Sequence, residues 1–208
     1  AIIASILSSW NVPTTLVSSP VGDDYHGSKV IERLQASGID NVDRIRQGAT
    51  TPLEVAIVDA TGSRTYFQRR DPLAMASLPS LDSNQLGQAR MLYVDWYDGP
   101  QVINAMKTAR ACGIPVFLNI ESRYYNNPDL QELLRYTNIC QVSLDEPGAS
   151  GNPAQIARVL IDQGAGTVLV TLGAGGWVIV QPNRSFHIQS PGIKVVDGYG
   201  AGAAFAAG

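Results

Sequence analysis

The sequence predicts an α/β fold of three layers, with a mostly parallel central sheet between helices and a small β lid beside it. Three observations carry that prediction. From residue 91 onward, single apolar strands alternate with amphipathic helices, a pattern that leads to parallel pairing through right-handed crossovers. Before that, two strand-like runs flank Ala60-Thr61-Gly62-Ser63, a hairpin signal that stands apart from the alternation. Apolar residues make up 45 % of the chain and charged residues 16 %, which suits a packed core rather than disorder.

Taken in order, residues 1–10 read as a core helix with Ile2, Ile3, Ile6 and Leu7 on one face, lacking the basic leader of a signal peptide. Val12 to Ser18 alternates as a short strand. The polar turn Gly22 to Gly27 opens a helix from Lys29 to Ser37, closed by Gly38 as a left-handed cap. Leu53 to Asp59 and Arg64 to Arg69 form the lid hairpin. Met91 to Asp95 is a strand, and Pro100 to Ala111 a helix ended by Gly113. Val116 to Asn119 is the next strand, Pro128 to Tyr136 a helix, and Ile139 to Val142 a short strand. Asn152-Pro153 is a strong helix start, with Asn as N-cap, Pro at the first helical position and Gln155 placed for a capping box. That helix stops near Gly164. Thr167 to Leu172 and Trp177 to Gln181 follow as strands, and an apolar strand through Ile193, Val195 and Val196 runs into a last, alanine-rich helix.

The 208 residues are expected to form a single α/β domain, incomplete at both ends, with the lid hairpin near residues 53–70. A net charge of −3 gives no basic field for nucleic acid. No uncharged apolar run approaches the ~18 residues of a membrane span, and a cytoplasmic protein is expected. Cys112 and Cys140 lie in apolar stretches without metal spacing and are expected to be buried, reduced thiols. Trp10, Trp96 and Trp177 read as core residues, with Trp96 placed to line a pocket as well; His26 and His187 read as surface or structural.

Chemistry concentrates at the end of the chain. Residues Asp197 to Gly202 form a glycine-rich turn into a helix, and such a turn points backbone amides and the positive end of a helix dipole at one spot. Gly200, Ala201 and Gly202 are therefore candidates to hold an anion. A second glycine turn, Leu172-Gly173-Ala174-Gly175-Gly176, follows an apolar strand that ends in Thr171, at the sheet edge where ligands of open α/β folds bind. Ser143-Leu144-Asp145-Glu146 leaves a third strand end, and Glu146 has the hard oxygens that Mg²⁺ prefers. Asp23 and Asp24 are placed either to bind hydroxyl groups or to cap the helix after them. Asn119 and Arg123 sit at and after another strand end, facing a cleft or only solvent, and Asp95 is a weaker candidate of that kind.

The segment Val196-Asp197-Gly198-Tyr199-Gly200-Ala201-Gly202-Ala203 resembles the Asp-Thr-x-Gly-Ala-Gly-Asp signature of the ribokinase/PfkB carbohydrate kinases. Val170-Thr171-Leu172-Gly173-Ala174-Gly175-Gly176 resembles their Val-Thr-x-Gly-x-x-Gly pattern, and Gly22-Asp23-Asp24-Tyr25-His26-Gly27 their Gly-x-Asp-x-x-Gly segment near the sugar. The resemblance implies a ribokinase-like fold and transfer of the terminal phosphate of ATP, with Mg²⁺, to a hydroxyl of a sugar or nucleoside. It implies that Thr171, Gly173, Gly176, Asp197 and Ser143 serve the nucleotide, Glu146 the metal shell, and Asp23, Asp24, Asn119 and Arg123 the sugar. It also implies a homodimer paired through the lid. Departures are equally plain. Ala203 stands where the family has its catalytic Asp, Ser143 stands where Asn is common, and Gly198 and Tyr199 replace threonines that would serve phosphate or a monovalent cation. The alternative is a non-catalytic pseudokinase that binds ligand or partner proteins with the same fold. A dinucleotide-binding fold is disfavoured, because no Gly-x-Gly-x-x-Gly follows an early strand.

Overall fold

The computed structural model describes residues 1–39, 45–59, 64–75, 78, 81, 83–95, 100–120, 127–145 and 151–208. The chain forms two compact units, one of Ala1–Pro79 with Tyr199–Gly208 and one of Ser80–Gly198.

In the first unit, α1 (Ile2–Ser9) leads through irregular chain to β1 (Val21–Gly22) and α2 (Tyr25–Ala36). Strand β2 (Ile45–Arg46) pairs in parallel with β1. Strands β3 (Leu53–Val58) and β4 (Arg64–Arg69) make a separate antiparallel hairpin, from Leu53 opposite Arg69 to Val58 opposite Arg64. A short helix α3 (Pro72–Met75) follows. Ala4, Leu34 and Ile39 form a small core with Leu16 packed against it. On α1, Ala4 is buried and Ile3, Ile6 and Leu7 are half-buried, while Ile2 and Trp10 are about half exposed, contrary to the expected place of Ile2 on the core face and of Trp10 in the core. Val12 to Ser18, expected as a strand, finds no ladder partner and stays irregular.

The second unit holds α4 (Ser83–Leu86), β5 (Leu92–Asp95), α5 (Pro100–Ala111), β6 (Val116–Asn119), α6 (Leu130–Arg135), β7 (Ile139–Ser143), α7 (Pro153–Asp162), β8 (Thr167–Thr171), β9 (Trp177–Gln181) and β10 (Arg184–Ile188). These strands form one sheet in the order β10-β9-β8-β7-β6-β5. β5 to β8 run parallel, and β9 and β10 antiparallel. In β6 the consecutive residues Val116, Phe117 and Leu118 are all buried, as a strand covered on both faces requires. α5 buries Val102, Ile103, Met106 and Ala109, a spacing of three and four that marks one helix face. The lid hairpin stays out of this sheet, as expected.

Local signals set the helix ends. The Asn152 side chain accepts from the amides of Ala154 and Gln155 at 3.0 and 3.2 Å, with Pro153 at the first position of α7. Asn152→Ala is expected to cost about 1 kcal/mol, read as a lower midpoint in thermal unfolding. α6 is shorter than expected, beginning after Asp129.

Strand β10 was not expected. It returns on β9 through the two residues Pro182 and Asn183, with Arg184 opposite Gln181. Conversely, the strand expected through Ile193 to Val196 is absent. Pro191 and Gly192 turn the chain out of the ladder, with the Ile193 amide bonded to the Pro191 carbonyl at 2.8 Å. Ile193, Val195 and Val196 are left exposed, Val196 at 96 %. Cys140 is buried in β7, where desolvation pushes its thiol up, but Cys112 is exposed, contrary to expectation. Among the described residues no helix is long and apolar enough to cross a membrane.

Candidate functional site

Parallel strands that end side by side deliver their last side chains to one edge. Asp95 lies opposite Asn119 in the β5–β6 pairing, and Ser143 opposite Thr171 in the β7–β8 pairing. Asp95, Asn119, Ser143 and Thr171 therefore all stand at the carboxyl ends of four adjacent strands, the edge at which open α/β sheets take ligands. The Ser143 and Thr171 hydroxyls are 3.2 Å apart, and Ser143 also donates to the Asp145 carboxylate. Asp145 was missed in the sequence, although an extended chain puts residues two apart on one side, so it shares a side with Ser143. The Asp95 carboxylate accepts from the Tyr93 hydroxyl.

After Thr171 the chain makes a single 3₁₀ turn, Gly173–Gly175. A Cβ on Gly173 would lie 3.1 Å from the Asp145 Cβ, so this glycine lets the turn close down beside Asp145. Gly176 serves a different need. Its φ is 85°, and a Cβ there would fall 2.0 Å from the Ile188 carbonyl oxygen. The close approach of β10 accounts for that glycine without any ligand. His187, exposed as expected, contacts the Gly175 carbonyl at 3.0 Å.

In the first unit, Asp23 and Asp24 divide the roles left open for them. Asp24 caps α2, its Oδ1 accepting from the Gly27 amide at 2.8 Å. The same oxygen accepts from the Thr51 hydroxyl at 2.7 Å, and Oδ2 accepts from the Thr51 amide at 2.8 Å. Thr51, itself buried, accepts from the Gly22 amide at 3.0 Å. Asp23 is exposed and makes one long contact, accepting from the Gly48 amide at 3.3 Å. Of the two, Asp23 keeps the greater capacity for an incoming hydroxyl. Thr51 carries no local signal, because its partner is 27 residues away.

These bonds hold the Asp24 carboxyl down at about 2, led by the Thr51 hydroxyl, then the Thr51 and Gly27 amides, against partial desolvation. A depressed carboxylate stabilises the fold fully above its unfolded pKa, near 4, and loses that contribution as pH falls through about 2. The expected result is an acid limb of unfolding between pH 4 and 2 that flattens in Asp24→Asn, followed by circular dichroism.

The glycine turn at the end of the chain places Gly200 at φ 80° as N-cap of α8 (Ala201–Ala207), with its carbonyl accepting from the Ala204 amide at 2.9 Å. A left-handed N-cap suits glycine and sets Ala201, Gly202 and Ala203 in the first turn, at the positive end of the helix. Ala203 is half-buried there, and Asp197, just before the turn, is exposed. Arg123 and Glu146 lie outside the described residues, as does Trp96.

The sequence pattern of the pfkB family carbohydrate kinases matches residues 3–208. Aminoimidazole riboside kinase of Salmonella typhimurium is 31 % identical over 208 residues, which cover 90 % of this chain and 64 % of that protein. Ribokinase of Mus musculus is 24 % identical over 212 residues, covering 89 % and 61 %. The chain thus spans less than two thirds of the length of these curated relatives. Ribokinase of Arabidopsis thaliana, solved with ribose and ATP, superposes with a TM-score of 0.78 at 20 % identity, over 99 % of this chain and 70 % of that one. The fold is ribokinase-like, and the chain belongs to the pfkB family of carbohydrate kinases.

Proposed function

We propose that this chain binds ATP and a sugar or riboside as an ATP-dependent carbohydrate kinase does, and that Ala203 deprives it of the general base. The observation that carries the reading is the Ser143–Thr171 hydroxyl pair beside Asp145 and the Gly173 turn, at the carboxyl edge of the parallel sheet. Paired hydroxyls and a close glycine turn are the chemistry of a phosphate-binding edge. A phosphate next to the Asp145 carboxylate needs a cation to offset their repulsion, and Mg²⁺ takes carboxylate and hydroxyl oxygens of this kind. Asp145, with Glu146 beside it in sequence, would hold the ion. ATP would supply the phosphoryl group and Mg²⁺ would screen its charge.

The amides of Gly200, Ala201 and Gly202 would stabilise charge developing on the transferred group, with Asp197 before them. Asp23, Asn119 and Arg123 would engage the sugar hydroxyls. Gly198 and Tyr199 offer no small hydroxyl for a monovalent cation. The sugar and riboside substrates named for the relatives make a pentose or ribonucleoside-like acceptor the first choice. The lid hairpin exposes Val55, Ile57 and Phe67, which supports a homodimer paired there, and a cytoplasmic setting suits an ATP-dependent enzyme.

Ala203 itself favours a second reading, a pseudokinase that binds without turnover. Both readings expect ligand binding, because removing the base leaves the anion-binding amides in place. A thermal-shift screen with sugars and ribosides, with and without Mg-ATP, should raise Tm for Mg-ATP and for at least one acceptor. No shift with Mg-ATP would overturn nucleotide binding and both readings with it.

A further inference from the structure

Among the described residues the β3–β4 hairpin has no third strand, and Val55, Ile57, Val58, Tyr66 and Phe67 on it are all more than two-fifths exposed. A two-stranded hairpin of this kind is marginal by itself, so its order depends on how its ends are tied. Both ends are tied by carboxylates. At the entry, Asp24 takes the Thr51 hydroxyl and amide, at 2.7 and 2.8 Å. At the exit, Asp71 takes the Thr50 amide at 2.6 Å and the Leu73 amide at 2.8 Å. Arg69, the last residue of β4, donates to the Thr51 carbonyl at 3.3 Å, so the two ends are also joined to each other. The Thr51 hydroxyl extends the chain of bonds to the Gly22 amide in β1.

We infer that Asp24 is a positioning residue: its carboxylate clamps the root of the β3–β4 hairpin onto the start of α2, with Asp71 holding the other root, and it is not a ligand for substrate. The clamp belongs to the fold and holds whether or not the chain turns over a sugar, so its failure and that of the kinase reading are distinguishable. All of the Asp24 contacts named come from the protein itself, and every one is a full-strength hydrogen bond. A carboxylate accepting two amides and a hydroxyl has given up most of the capacity that a sugar hydroxyl would need. An N-cap alone would require only the Gly27 bond; the Thr51 pair is additional and points at the hairpin.

Asp24→Asn separates capping from clamping. Asparagine caps a helix about as well as aspartate. Its amide nitrogen, however, would replace Oδ2 and meet the Thr51 amide donor to donor, so that arm of the clamp is broken while Oδ1 keeps the cap and the Thr51 hydroxyl. In hydrogen–deuterium exchange on the whole chain, Asp24→Asn should speed exchange of the β3 and β4 amides by about ten-fold or more. Amides of α2, and of β6 and β7 in the other unit, should keep their rates. Thr51→Val and Asp71→Asn should loosen the same hairpin, and they serve as the test if Asp24→Asn fails to fold. Unchanged hairpin exchange in the folded variants would overturn the clamp. Equal acceleration in α2 and the hairpin would reduce Asp24 to a cap and overturn it too.

Discussion

Ala203→Asp is expected to raise ATP- and acceptor-dependent release of ADP by about 10²–10⁴-fold over the protein with alanine. That range corresponds to about 3–5.5 kcal/mol of barrier, the contribution of a positioned proton acceptor. Position 203 lies in the first turn of α8, three residues past the left-handed Gly200 cap. A carboxylate there extends from the positive end of the helix, which favours its ionised, proton-accepting form. Acceptor and nucleotide affinities should change little, because on the proposed reading the carboxylate acts only in the transition state and the ground-state contacts stay in place. The measurement is a coupled ADP assay across pentoses, hexoses and ribosides, with dissociation constants from the same preparations. Unchanged rates in a variant that still binds Mg-ATP and an acceptor would establish the non-catalytic reading, with Gly198 and Tyr199 as further losses.

The second large effect concerns the fold. Gly176→Ala is expected to destabilise the sheet-bearing unit by about 2–5 kcal/mol. A side chain at φ 85° costs about 1–2 kcal/mol. Moving the Ile188 carbonyl, which the new Cβ would approach to 2.0 Å, adds about 1–3 kcal/mol of overpacking. Urea unfolding should show a lower midpoint, with exchange accelerated first in β9 and β10. Gly202→Ala is the control, since a Cβ there meets nothing within 4 Å and alanine is the better helix former. A stable Gly176→Ala protein that had lost only nucleotide binding would show instead that this glycine is kept for a ligand.

Much of the architecture is legible from residues 91–181, because the signals there are local. Pro100 to Ala111 and Val116 to Asn119 form a helix and a strand at the expected residues, and Asn152 caps α7 with its own side chain. The alanine at 203 is likewise plain in the sequence, and so is the glycine turn before it. Less legible was any element whose existence depends on a partner. Ile193 to Val196 has the composition of a strand, yet Pro191 and Gly192 turn it out of the ladder; β10, with Arg184, Ser185 and His187, looks polar and still pairs along its whole length with β9.

The amino-acid order by itself determined the alternation of strands and helices, their caps, the family motifs and the alanine at position 203, since these follow from dihedral preference, side-chain period and chemical identity at single positions. Only the tertiary structure decided that Asp24 is spent on Thr51, that Ser143 meets Thr171 beside Asp145, and that Gly176 yields to Ile188. Each of those depends on strand register and on contacts between residues 12 to 28 positions apart in the chain or on a turn closing beside its neighbour, and no local preference encodes which distant atom arrives in contact.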